Sequence, residues 1–255
     1  MLNRRSLCRT ILLLLAILPW AARGADTREL RVVGTHFARV YEHRVPDGYV
    51  GLGPDLLREI GKRLGATVRF EIYPWARAQL IVEQGEADIL VGPYKTPERE
   101  RRFSFSDKAF YQDHMLFYSR AGGVGHWSGN YSTLHGKRIA IVHGWAYGPS
   151  FDQARSVLHL STAQTLENGL LMVLHEHVEL LASNERNTNA MLASMGMTGK
   201  IVAIPQIIEV QNGYFAFPRM PRYDDLRTRF NVEFNRMVAS GELAKIARQH
   251  NVHVP

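Results

Sequence analysis

The sequence predicts an α/β protein of two lobes, and three observations predict it. Short apolar runs alternate with helix-like segments, the pattern of strands and crossover helices. One such series occupies positions 30 to 92, and a second begins after the glycines at 122, 123 and 125. The run Phe215-Ala216-Phe217 then stands where the chain can return to the first series. One α/β unit interrupting another is joined to it by two crossings, which makes a natural hinge. The 255 residues suffice for two lobes of about 100 residues, each with its own core.

The elements follow in order. Leu30-Arg31-Val32-Val33-Gly34 reads as a strand. Pro54 to Leu64 reads as a helix, because Leu56, Leu57, Ile60 and Leu64 share one face, Pro54 suits a first turn and Gly65 suits a stop. Val68 to Ile72 is a strand, Ala76 to Gln84 a helix closed by Gly85, and Ile89-Leu90-Val91 a short buried strand. In the second series Arg138 to Val142 is a strand ending at Gly144. Helices are expected over 147–155, 164–175 and 185–195, with strands near 178–183 and 201–204. The tail from Tyr223 to His250 reads as two helices split at Gly241.

The first residues stand apart from this pattern. Arg4, Arg5 and Arg9 precede the apolar run Ile11 to Leu18, which is shorter than the roughly 20 residues a membrane-spanning helix needs. Pro19 ends the run, and Ala22-Arg23-Gly24 places small residues where a signal peptidase reads. Residues 1–24 are therefore expected to be a cleaved signal peptide, and the mature chain to be a soluble periplasmic protein. The single cysteine, Cys8, lies inside that segment, so the mature chain has no disulfide, no thiol nucleophile and no cysteine metal site. Removing the arginines at 4, 5, 9 and 23 from the 31 basic residues leaves 27 against 24 acids, a balance of +3. That is too mild to point to nucleic acid as a partner.

The most informative stretch runs from Asp88 to Arg99 and on to Asp107. Thr96 before Pro97 is a sound helix start, with threonine as the cap and proline at the first position. Arg99 falls in that first turn. Free backbone N–H groups and a guanidinium fork at one place suit a carboxylate. The alternative is a solvated charged run, since Glu98 to Arg102 are all ionic.

The chain here resembles the extracellular solute-binding proteins of family 3, the polar amino-acid binders of ABC importers, which have the type II periplasmic-binding-protein fold. The resemblance is carried by Gly51-Leu52-Gly53-Pro54-Asp55-Leu56, Gly85-Glu86-Ala87-Asp88, Thr96-Pro97-Glu98-Arg99 and Phe105-Ser106-Asp107. Leu134-His135-Gly136-Lys137-Arg138-Ile139 and Ser240-Gly241-Glu242-Leu243-Ala244-Lys245-Ile246 continue it, so that it covers nearly all of the mature chain. It implies a first lobe of residues 26–115 plus 215–255 and a second of 116–214. It implies a monomer that takes an amino-acid-like solute without a cofactor and hands it to an ABC permease in the inner membrane. By the same resemblance Arg99 holds the ligand carboxylate with Thr96 near it, and Gly92 and Tyr94 line the cleft. Phe37 and Trp75 sandwich the solute side chain. Backbone N–H groups around Gly144 meet the carboxylate, with Trp145 as a wall.

Two departures stand out. The interval from Asp88 to Arg99 is one residue shorter than in the amino-acid binders, which shifts the loop carrying Gly92 and Tyr94. The aspartate that meets the ligand ammonium in the second lobe is replaced by Asn184, with Glu185 beside it. Either Glu185 takes the aspartate's place, or the ligand lacks a simple α-ammonium. The resemblance also extends to cyclohexadienyl dehydratases, for which Glu185 or Glu42 would be the candidate acid; a sensory protein that has lost tight binding is a further alternative. His175, His177 and Glu179 share a strand face and admit a metal reading, but the expectation is no metal, since the matching family segment is an exposed turn.

Overall fold

A computed structural model describes residues 28–123 and 127–255. Residues 1–24, where a signal peptide is expected, and Gly125 lie outside the described residues.

The first series forms a parallel set. β1 (Glu29–Gly34) pairs with β4 (Thr67–Ile72) over its whole length, and with β5 (Ile89–Tyr94) through Val32 and Val33. Between β1 and β4 the chain makes a hairpin, β2 (Glu42–Arg44) with β3 (Gly48–Val50), and then α1 (Leu52–Leu64). α1 starts two residues before the expected Pro54; it buries Leu56, Leu57 and Ile60 of the expected stripe and also Leu52, leaves Leu64 half-buried, and ends on Gly65 in the left-handed conformation. α2 (Trp75–Glu83) crosses to β5 and buries Ala78, Ile81 and Val82. β5 is buried along its full length, as its unbroken apolar run requires. Two short elements, α3 (Pro97–Arg102) and β6 (Phe103–Phe105), and the long strand β7 (Tyr111–Arg120) follow.

The second series repeats the plan. β8 (Arg138–Val142), α4 (Pro149–Ala154), β9 (His159–Ala163), α5 (Leu166–Leu174), β10 (Leu180–Asn184) and α6 (Glu185–Ser194) follow in order. β8 is parallel to both β9 and β10. β11 (Ile201–Ala203) adds to β7, and β12 (Glu209–Pro218) returns the chain to the first set. α7 (Asp224–Ala239) and α8 (Glu242–Gln249) close it, split at Gly241 as expected. Phe230 and Phe234 of α7 pack on Phe215, and Glu242 at the start of α8 accepts two hydrogen bonds from Arg63 of α1 at 2.7 and 2.8 Å.

The strand order is β4-β1-β5-β12-β7-β10-β8-β9. Two parallel sets are thus joined by an antiparallel pair. β12 pairs with β5 at one end through Phe215 and Ala216, β7 pairs with β10 at the other through Leu181 to Asn184, and the two cross at Gln211 and Asp113. This is the two-lobed architecture with two connecting strands.

Three expectations need correction. β7 is absent from the sequence reading because Gln112, Asp113 and His114 break its apolar pattern. The helix expected from 147 begins only at Pro149: Gly148 at φ 103° stands before it, and the buried Tyr147 hydroxyl accepts the backbone N–H of Val142 at 2.6 Å. The helix expected from 164 begins at Leu166, where Thr165 caps it.

Candidate functional site

The site is assembled where the strand ends of the two lobes face each other. From the first lobe come the loop after β1, the start of α2 and the end of β5. From the second come the turn after β8 and the junction of β10 with α6. Ligands of open α/β sheets bind at such strand ends.

Arg99 is the centre. Thr96 adopts extended backbone and its hydroxyl accepts the Arg99 backbone N–H at 3.2 Å, so the cap fixes Arg99 in the first turn of α3. The Arg99 side chain is 6% exposed. Its Nη1 donates to the Tyr94 carbonyl at 2.9 Å, and its Nη2 donates across the cleft to the Gly144 carbonyl at 3.0 Å. The guanidinium also lies 5.5 Å from the Trp75 ring. Burial lowers its pKa from the ordinary value, with Tyr94 and Tyr111 acting the other way; the group stays charged. Among the described residues no carboxylate pairs with it, so a buried cation is met only by dipoles.

Phe37, Trp75, Gly92, Tyr94, Arg99, Trp145, Ala146 and Asn184 line one small cavity. Seven of these were expected from the sequence. A larger cavity of about 370 Å³ shares Phe37, Trp75 and Trp145, and continues over His36, His143, Leu166, Asn187 and Met191.

Several expected roles differ in detail. Phe37 and Trp75 do not stand apart as a sandwich: their centroids are 5.4 Å apart at 61°, an edge-to-face contact. The Tyr94 hydroxyl points into protein and donates to Asp113 Oδ2 at 2.7 Å, and burial pushes its pKa well up. Gly92, at φ 87°, passes its carbonyl to the Tyr111 hydroxyl at 2.7 Å. Gly144 presents its carbonyl, not its N–H, to Arg99. The Thr96 hydroxyl serves the helix cap.

Asn184 is 2% exposed and caps α6, its Oδ1 accepting the Asn187 N–H at 2.9 Å. The backbone donor fixes which end of the amide is which. Glu185 does not join the cavity. It turns to the far side of α6, where its carboxylate lies 3.5 Å from His114. Glu42 is also elsewhere: its carboxylate accepts the Arg39 N–H at 2.5 Å and bonds Arg44 Nε at 2.7 Å within the hairpin. Glu179 pairs with Arg138, and the His175 and His177 rings are 6.2 Å apart. Among the described residues no group of three His, Cys, Asp or Glu is arranged to hold a metal ion.

The sequence reading missed a polar group behind the site. Arg186 makes a two-pronged pair with Asp113, Nε to Oδ1 at 2.9 Å and Nη2 to Oδ2 at 2.7 Å. It also donates to the Ala38 carbonyl, while Asn187 Oδ1 accepts the Ala38 N–H at 2.9 Å. A polar Asp113 amid the buried residues of β7 is the one signal in the sequence that points here.

The model of the bacterial extracellular solute-binding proteins, family 3, matches residues 32–253. The chain belongs to that family. This member of family 3 is also similar in fold to solved structures, at 15–18% identity. One is a histidine kinase sensor domain with similarity to periplasmic binding proteins, at 16% identity and TM-score 0.76, covering 90% of this chain and 99% of that one. Another is the substrate-binding protein of an amino acid ABC transporter, at 18% and TM-score 0.70, covering 87% and 98%. A third is a Streptococcus pneumoniae ABC uptake transporter substrate-binding protein with bound histidine, at 15% and TM-score 0.70, covering 87% and 91%. No curated protein matches the sequence. Among the described residues of this family 3 protein, no helix is long and apolar enough to cross a membrane.

Proposed function

We propose that this family 3 protein captures a small carboxylate-bearing solute between its lobes in the periplasm and delivers it to an ABC importer. Arg99 carries the reading. It is a buried guanidinium at the junction of the lobes, held by two carbonyls and, among the described residues, no carboxylate, and a fork of this kind suits a carboxylate ligand. Its bond to Gly144 links the lobes, so a solute that takes over such bonds favours the closed form by differential contact. Phe37, Trp75, Gly92, Tyr94, Trp145 and Asn184 are the remaining ligand residues of this reading, with Thr96 and Gly144 supporting Arg99. Glu185 is left out of it, because it faces His114.

The lobes of this reading are residues 26–115 plus 215–255 and residues 116–214, after removal of 1–24. The pairing of Tyr111–Met115 with Glu209–Gly213, beside both boundaries, supports them. A binder is favoured over a dehydratase because neither candidate acid, Glu185 or Glu42, lines the cavity. A sensory role is the second reading, favoured by the fold similarity to a histidine kinase sensor domain. Uptake of labelled solute in cells with and without the gene separates importer from sensor.

Calorimetry on residues 25–255 with Arg99→Ala tests the site. A charged hydrogen bond is worth about 1.5–3 kcal/mol, so the variant is expected to lose at least about tenfold in affinity. Unchanged affinity would end the assignment of Arg99.

A further inference from the structure

The charge facing the two cavities is one-sided. Among the described residues no carboxylate lines either of them. Asn184 Oδ1 is engaged by the Asn187 N–H, and Asn187 Oδ1 by Ala38 N–H and by Arg186. Asn187 Oδ1 thus carries two donors and Asn184 Oδ1 one, a backbone N–H that orients its amide. Neither Nδ2 has a partner among the described residues, so each amide meets a ligand as a donor. With the Arg99 guanidinium this makes three donors and no anionic acceptor. A ligand ammonium placed here would lose water and gain no counter-charge, which is unfavourable.

The second observation is shape. The larger cavity shares the aromatic walls Phe37, Trp75 and Trp145 with the small cavity that holds Arg99 and Asn184, and Leu166 and Met191 extend its apolar lining. At about 370 Å³ it falls in the range of small-molecule sites, where apolar walls take the body of a ligand and a few polar groups orient it.

We propose that the solute is an organic acid without an α-ammonium, its carboxylate at Arg99 and Asn184 and an aromatic or aliphatic body in the larger cavity. This rests on the carboxylate-binding reading of Arg99 and narrows it. The amide donors select the acid, and the apolar chamber selects its body.

The test compares compounds that differ in one feature. 3-Phenylpropionate, L-phenylalanine and propionate are titrated calorimetrically into the mature protein, together with the twenty amino acids in a thermal-shift assay. 3-Phenylpropionate is expected to bind at least about tenfold more tightly than either comparator. Asn184→Asp keeps the cap, since aspartate caps as well as asparagine, and adds a carboxylate. It is expected to weaken 3-phenylpropionate and strengthen L-phenylalanine. L-Phenylalanine or another amino acid binding as tightly as 3-phenylpropionate would overturn the inference and leave solute binding intact. Propionate binding as tightly would overturn the apolar body. Failure of 3-phenylpropionate and every amino acid to bind would overturn both this inference and the carboxylate reading beneath it.

Discussion

Arg186 and Asp113 form a two-pronged ion pair whose side chains are 8% and 1% exposed. The pair ties the first turn of α6 to β7 where β7 crosses β12, and the Tyr94 hydroxyl completes the Asp113 shell. Burial works against the Arg186 charge, but Asp113, Tyr111 and Tyr94 together outweigh it and its pKa is raised.

Arg186→Ala is expected to cost about 3–5 kcal/mol, because it leaves a buried carboxylate without its cation. The urea midpoint at unchanged slope measures it. The double variant Arg186→Met with Asp113→Leu is expected to regain most of that loss, since an apolar pair of similar volume removes both charges. A single-variant loss below about 1 kcal/mol would mean that the pair acts like an exposed one.

Gly92 sits at φ 87°, and a Cβ there would lie 3.1 Å from Phe37 Cε2 and 3.2 Å from the Tyr111 hydroxyl. Gly92→Ala is expected to cost about 1–2 kcal/mol from backbone strain alone. It should also weaken solute binding, because Phe37 must move. A melting temperature and affinity equal to wild type would show that this backbone is not held by its neighbours.

Acid stability should depend on Glu71. Side-chain hydrogen bonds from Arg31 at 2.9 and 3.0 Å hold its carboxyl at about 2, against an ordinary 4.5. A depressed carboxylate contributes stability that is present above the unfolded pKa and is lost as pH falls through the folded one. The expected window is therefore pH 4.5 down to about 2. Glu71→Gln should be less stable than wild type at pH 7, with the difference closing toward pH 2. A difference independent of pH over that range would remove charge from the explanation.

Glu185→Gln should leave both solute affinity and stability nearly unchanged. The side chain is 47% exposed and its nearest cation is His114 at 3.5 Å, a contact of small value. A large loss of binding would place Glu185 in the cleft and return it to the candidate acids.

How much of this was legible beforehand differs by layer. α1 could be read because Leu56, Leu57 and Ile60 repeat at helical spacing and Gly65 supplies its stop; both are properties of a short window. Thr96 and Arg99 could be read for the same reason, since a cap and the residue it fixes are three positions apart. β7 could not, because its polar Gln112, Asp113 and His114 are buried or half-buried only once β12 lies alongside. The Arg186–Asp113 pair spans 73 positions, and no local pattern links its members.

Asn184 marks the boundary most clearly. Sequence alone places an asparagine beside a glutamate at a helix start and leaves open which of them faces the cavity. The packed structure decides, because a helix N-terminus needs an acceptor for its free N–H groups and takes the Asn184 oxygen, while the turn of α6 sends Glu185 to the other side. The chain by itself thus determined the alternation of strands and helices and the capped turn that carries Arg99, which depend on neighbours a few residues away. Only tertiary contact decided which of those residues share one cavity, because the Arg99 guanidinium meets the Gly144 carbonyl across 45 positions and no local pattern fixes that approach.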